Sequence, residues 1–234
     1  MIINEIKEKL KAESISKKAN ILQSFFKTGI GEYAQGDIFL GVTVPKTRKI
    51  AKQFFDLREK YIKELLESKY HEHRLLALLI MVEQFRLANQ AQKKQLYSLY
   101  IKNTKHINNW DLVDLTAPKI MGEFLFENNR QILYKFALSD NLWQKRIAII
   151  TTFSFIKKDD FNDTFKIAKI LLHDPHDLIH KAVGWMLREV GKRDLKAEEG
   201  FLKKHYKQMP RTMLRYAIEK FAQNKRQAYL NSRI

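Results

Sequence analysis

Lys145-Arg146-Ile147-Ala148-Ile149-Ile150 decides the architecture, because the pattern returns. His73-Arg74-Leu75-Leu76-Ala77-Leu78-Leu79 opens the same way, and so do His180-Lys181-Ala182-Val183-Gly184-Trp185 and Leu214-Arg215-Tyr216-Ala217-Ile218. The cations fall at 74, 146, 181 and 215, a step of about 35 residues with one member missing near 110. A helix pair of that length cannot bury its apolar stripe alone, so neighbouring pairs must stack. The reading is an all-α helical-repeat solenoid. One helix of each pair lines a concave basic groove, and the recurring cations form a stripe suited to a phosphate backbone. The alternative is an irregular bundle in which the spacing is coincidental.

Composition agrees. The chain of 234 residues has only 8 Gly and 4 Pro, which favours long helices over strands and turns. It is read as one domain, 1–234, large enough for a real core. A formal net charge of +17 points to a polyanion, nucleic acid before anionic membrane. An evenly spread solubility charge is the bland alternative. The absence of cysteine excludes disulfides, iron–sulfur clusters, Cys-ligated zinc and thiol nucleophiles, and fits a cytoplasmic protein. The N-terminus has no signal-peptide pattern, and no apolar run spans a bilayer.

Helices are expected over Ile3–Lys27 (two, the second capped by Ser14 or Ser16, with Ala19, Leu22, Phe25 and Phe26 inward) and from Pro45 onward, with Thr43 as cap. They follow over 57–68, 71–87, 88–103, 108–127, 129–138, 141–156, 160–172, 176–190, 195–208 and from Pro210 to near the end. Between the first two and the rest, Gly29–Pro45 is glycine-rich with a short β-branched, aromatic run, read as a structured loop or small hairpin. Lys46 and Arg48 lie on the outer side of the helix after it.

The missing repeat member is Asn108-Asn109-Trp110-Asp111-Leu112-Val113-Asp114. Where the repeats carry a cation, this stretch has an indole and carboxylates. Trp110 and Asp114 are four apart and share a helix face. Trp185 follows its own register cation, Lys181, by four.

Trp110-Asp111-Leu112-Val113-Asp114, Asp140-Asn141-Leu142-Trp143-Gln144-Lys145-Arg146 and Lys181-Ala182-Val183-Gly184-Trp185-Met186-Leu187-Arg188-Glu189 together resemble the AlkD-like DNA alkylation repair glycosylases, in order and spacing across most of the chain. The resemblance implies a HEAT-like repeat solenoid that holds duplex DNA and releases 3-methyladenine- and 7-methylguanine-type bases without flipping them into a pocket. It implies a catalytic carboxylate at Asp114, indoles packed on the lesion's deoxyribose at Trp110 and Trp185, a phosphate contact at Arg146, and a place for Arg188 in the matching motif. Asp111 matches but carries no implied role. Asn109 stands where catalytic members have another Trp. The long Gly29–Pro45 segment is more like a sister branch in which it forms a DNA-probing hairpin. The match implies DNA binding more firmly than catalysis.

The chemistry fits the residues. A cationic purine leaves without general-acid help. The sugar left behind becomes oxocarbenium-like, and a carboxylate can stabilise it, as in glycoside hydrolysis. Asp114 would supply the charge and the indole faces of Trp110 and Trp185 their negative quadrupole. Arg146, Lys181, Arg188, Arg74, Arg215, Lys46 and Arg48 are the candidate DNA-binding cations. Asp114 could instead make a structural salt bridge with Arg146, and Trp110 could be core. Trp143 is read as core. The histidines have no compact metal spacing, so no metal and no cofactor are expected. The partner is duplex DNA, with branched DNA the preference of a non-catalytic relative, and an acidic protein partner the weakest reading. Nothing indicates an oligomer, so a monomer is expected.

Overall fold

The computed structural model describes residues 2–234. Among them the regular structure is helical, as the glycine and proline scarcity requires. The chain forms two compact units, Met1–Thr116 and Ala117–Ile234. No helix among the described residues is long and apolar enough to cross a membrane.

The first unit contains α1 (Ile2–Ala12), α2 (Ser16–Phe25), α3 (Val44–Gln53), α4 (Glu59–Leu66), α5 (His71–Leu87), α6 (Gln90–Lys102) and the start of α7 (Trp110–Ala117). Its axis is α5, which packs against α3 and α4 and is buried from His71 to Met81. From Leu75 to Val82 it is apolar on all sides, and such a stretch belongs in a core. α2 buries none of its residues, and its N-cap position is Ile15, not Ser14 or Ser16. Phe26, just past its end, points inward, but Phe25 is 60% exposed, against expectation. Thr43 occupies the N-cap position of α3, without a side-chain capping bond.

No hairpin forms over Gly29–Pro45. The segment makes one isolated β-bridge, Ile38 to Tyr70. Two side chains outside it hold its backbone: buried Glu72 accepts from the N–H groups of Leu40 (2.9 Å), Gly41 (2.8 Å) and Val42 (3.2 Å), and Gln23 donates to the Asp37 carbonyl (2.5 Å) and accepts from the Phe39 N–H (3.3 Å). A carboxylate that gathers three amides replaces the missing strand partner. Gly41 is fixed twice over, by its left-handed φ of +81° and by the backbone of Ile15, 2.3 Å from where a Cβ would sit.

The second unit contains α8 (Glu123–Phe126), α9 (Gln131–Ala137), α10 (Leu142–Thr151), α11 (Phe153–Ile156), α12 (Asn162–Ile170), α13 (Asp177–Arg193), α14 (Leu195–His205), α15 (Arg211–Ala217) and α16 (Gln223–Leu230). α10, α13 and α15 pack in series, with α9, α12 and α14 against them. These three helices carry the sequence repeat, so the periodicity is a packing periodicity. Gly184 lets α13 and α15 close up, since a Cβ there would meet the Met213 carbonyl at 2.4 Å. Trp143 is buried, as read.

The helix expected over 108–127 is not uniform. α7 passes into a π-turn at Pro118–Gly122 before α8. Pro118 has no N–H to return to the carbonyl four residues back, so the ladder widens there.

Candidate functional site

α7 presents two chemically different faces. Asp111 is buried, whereas Trp110 and Asp114 are partly exposed. The start of the helix is set by Asn109, fully buried, whose Oδ1 accepts from the Trp110 N–H at 2.8 Å. Asn109 is therefore a cap-like residue at the helix start, which accounts for a polar side chain next to the indole.

Trp110 begins a run of rings. It stacks on Phe26 (5.0 Å, 19°), Phe26 stacks on Phe39 (4.9 Å, 18°), and Phe39 stacks on His71 (4.4 Å, 22°). Phe25 meets Trp110 edge-on at 6.0 Å. The indole is thus braced from the core side, through the 29–45 loop, down to α5.

The run ends on a buried ionic cluster. His71 Nε2 is 2.8 Å from Asp111 Oδ2, and its Nδ1 is 3.5 Å from Asp37 Oδ2. Arg74 Nη2 is 2.7 Å from the same Asp37 oxygen, and Asn108 Nδ2 donates to Asp37 Oδ1 at 3.1 Å. Burial pushes the His71 imidazolium toward neutrality. The charge of Asp111, its hydrogen bond and that of Asp37 outweigh this and raise the pKa to about 9. Burial would raise Asp37, but the His71 hydrogen bond and the Arg74 charge hold it below the usual carboxylate range. Two anions and two cations therefore compensate one another at neutral pH.

This cluster corrects one expectation. Arg74 is 4% exposed and spent on Asp37, so it is not a groove-lining cation. An arginine at the head of a buried apolar stretch must find an anion inside. Arg146 is also buried, at 5%, and its Nη1 donates to the Leu178 carbonyl at 2.6 Å, tying α10 to the first turn of α13. That side chain is committed to helix packing and does not stand out from the surface as a phosphate contact would require.

The other cations are at or near the surface. Lys181 pairs with Asp177 one turn earlier at 2.7 Å. Arg188 pairs with Glu219 and lies 3.5 Å from Glu189. Arg215 is exposed. Lys46 pairs with Glu13 at 2.5 Å, and Arg48 is half-buried on the same helix, α3. Lys181, Trp185 and Arg188 follow one another along one side of α13, at i, i+4 and i+7. The Trp185 indole lies 6.0 Å from Phe153, and its Nε1 donates to Glu189 at 3.0 Å.

Sequence reasoning missed His71, Asp37, Phe26 and Phe39 as parts of the site. Positions 37, 71, 74 and 111 are too far apart to form a motif. A signal was nevertheless present. His71-Glu72-His73-Arg74 runs straight into the apolar stretch Leu75–Val82 of the same helix, and four polar side chains at the head of a buried stretch require partners elsewhere. Among the described residues no group of His, Asp and Glu could hold a metal ion.

A family model described as DNA alkylation repair enzyme matches residues 6–221. No curated protein matches the chain. Among solved structures, a predicted DNA alkylation repair enzyme from Enterococcus faecalis is similar in fold, with a TM-score of 0.71 and 16% identity over 90% of this chain and 98% of that one.

Proposed function

The chain belongs to the DNA alkylation repair enzyme family, and from that premise we propose that it binds duplex DNA and hydrolyses the N-glycosidic bond of cationic alkylpurines, without flipping the base. The observation that carries this reading is the division of labour on α7. Asp111 is buried and compensated by His71, while Asp114, one turn after a braced indole, keeps partial exposure. One carboxylate lies in the core and the other reaches the surface.

The reaction follows from charge. As the bond from C1′ to the cationic base stretches, its electron pair goes to the base, which leaves neutral. Positive charge moves to the sugar. The Asp114 carboxylate opposes that charge, the Trp110 face lies against it, and Trp185 is proposed to act likewise. Water adds to C1′ and gives up a proton toward Asp114, leaving an abasic sugar. Lys181, Arg188, Arg215, Lys46 and Arg48 are the proposed phosphate contacts.

The test is release of 3-methyladenine-type bases from methylated duplex. Asp114→Asn keeps the shape and removes the charge, so the rate should fall by roughly 10²–10³-fold with DNA affinity little changed. Equal release by both proteins would remove Asp114 from the mechanism.

A second reading rests on a specific feature. Ile30, in the loop clamped by Glu72, is 96% exposed. An apolar side chain held out from a basic protein suits unstacked or branched DNA. A non-catalytic module preferring such DNA would release no base in either form. It would shift a four-way junction at lower concentration than linear duplex, and Ile30→Ser would erase that preference.

A further inference from the structure

Besides the helices carrying Lys181, Trp185 and Arg215, the second unit has another basic feature. α12 and α14 are joined by stacked Phe165 and Phe201, ring centres 5.3 Å apart. Above them lies a groove of about 390 Å³ rimmed by Lys166, Lys169, Lys204 and His205. Its lining contains no carboxylate. Here four basic side chains converge without an anion among them.

The groove is also kept open. Gly200 lines it from the middle of α14, and a Cβ there would meet nothing within 4 Å. Glycine weakens a helix interior, and no packing neighbour requires it at this position. The space it leaves is groove space.

We propose that this groove is a second binding site for DNA, taking the phosphodiester backbone of a segment separate from the one under repair. Lysines act as point charges toward phosphate, and three of them spaced along two helices suit successive backbone oxygens. A protein of charge +17 in a DNA repair family meets that ligand in its ordinary work. Holding two stretches of DNA would keep the protein on the duplex between lesions.

His205 reports occupancy. Burial, then Lys169 and Lys204, hold its pKa below the ordinary imidazole value. Lys166 is the other charged group lining the groove, and the Phe201 ring packs on the imidazole at 4.6 Å. A phosphate among these lysines would let His205 take up a proton.

The experiment is histidine NMR on the full chain, titrated with a short unmodified duplex. A second, weaker equivalent of duplex should bind, with His205 signals moving and its pKa rising. Gly200→Leu fills the groove and should abolish the second event. Lys169→Ala with Lys204→Ala should also lower its salt slope by about 2. In both variants the first event and base release should stay within about twofold. The proposal is overturned if saturating duplex leaves His205 unmoved, or if the second event survives Gly200→Leu and keeps its salt slope in the lysine double variant. It is equally overturned if a mononucleotide at matched phosphate concentration moves His205 as far, since the groove would then serve free nucleotides. Loss of the first event or of base release in these variants would overturn it too, since the groove would then be part of the repair site, whereas absence of base release by the unaltered protein would count against the repair reading alone.

Discussion

A cluster in the first unit and a single glutamate in the second bury charge by different rules. In the first, Asp37, His71, Arg74 and Asp111 go inside together, each beside an opposite charge. In the second, Glu198 on α14 goes inside nearly alone. Its Oε1 has no hydrogen-bond partner, and its Oε2 fills the space beside Gly191, 1.7 Å from where a Cβ would be. Burial first, then the charge of Glu199, push its pKa up to about 8, against a weaker pull from Arg188. His71 and Asp37 therefore stay ionised at neutral pH, whereas Glu198 stays mostly protonated. Compensation lets a charge remain a charge in the interior, and without it the group gives the charge up.

The largest expected effect breaks the compensated side. Asp111→Ala strips His71 of its closest anion and leaves a buried cation without its main partner. Removing one member of such a pair costs about 3–5 kcal/mol. Chemical denaturation at pH 7 measures it, and a loss under about 1 kcal/mol would mean that the cluster is not the anchor described here.

The uncompensated side should respond with the opposite sign. The pKa of Glu198 is raised on folding, so its stabilising proton is fully held below the ordinary value of 4.5 and is lost as pH rises toward 8. Most of that loss has occurred by pH 7. Glu198→Gln avoids it and should gain about 2 kcal/mol at pH 7, with little change at pH 4.5. His71 carries the same sign in another window. Its contribution is complete below its ordinary 6.5 and is lost as pH rises through about 9. Stability curves of the Gln variant should therefore lose the slope between pH 4.5 and 6.5, decline less steeply than the parent's from 6.5 to 8, and match it above 8. A variant whose whole curve parallels the parent's would show that Glu198 does not titrate as an isolated buried acid.

The same contrast marks what was legible beforehand. The α10–α13–α15 series was readable because Arg146, Lys181 and Arg215 recur at a fixed step ahead of apolar residues, and chain spacing there equals packing spacing. Trp110 and Asp114 could be placed on one helix face by counting. What the cations do was not readable, since Arg74 and Lys181 look alike in sequence. One is sealed against Asp37 and the other pairs at the surface. That difference arises from contacts 37 residues apart along the chain for Arg74 and four for Lys181. Of the two readings of Gly29–Pro45, the structured loop holds and the hairpin does not, for a related reason. The 38–44 run has strand-like residues, but its amides found the Glu72 carboxylate, not a second strand.

The smallest effect on stability concerns the two indoles, which are supported as differently as the charges. Trp110 rests on the Phe26–Phe39–His71 stack, whereas Trp185 has one tilted neighbour, Phe153, and a hydrogen bond to Glu189. Phe26→Leu keeps the site apolar and removes a ring face from each side of the stack, a loss of about 1 kcal/mol. Its effect on turnover should be larger in proportion, because Trp110 loses the surface that fixes its plane. A misplaced positioning group of this kind costs about tenfold in kcat, with KM little changed. Phe153→Leu should do less, since Glu189 still holds the Trp185 ring by its Nε1. Equal losses in both variants would mean that stacking and hydrogen bonding brace the two rings equally well, and the ring stack would then lose its claim to a positioning role.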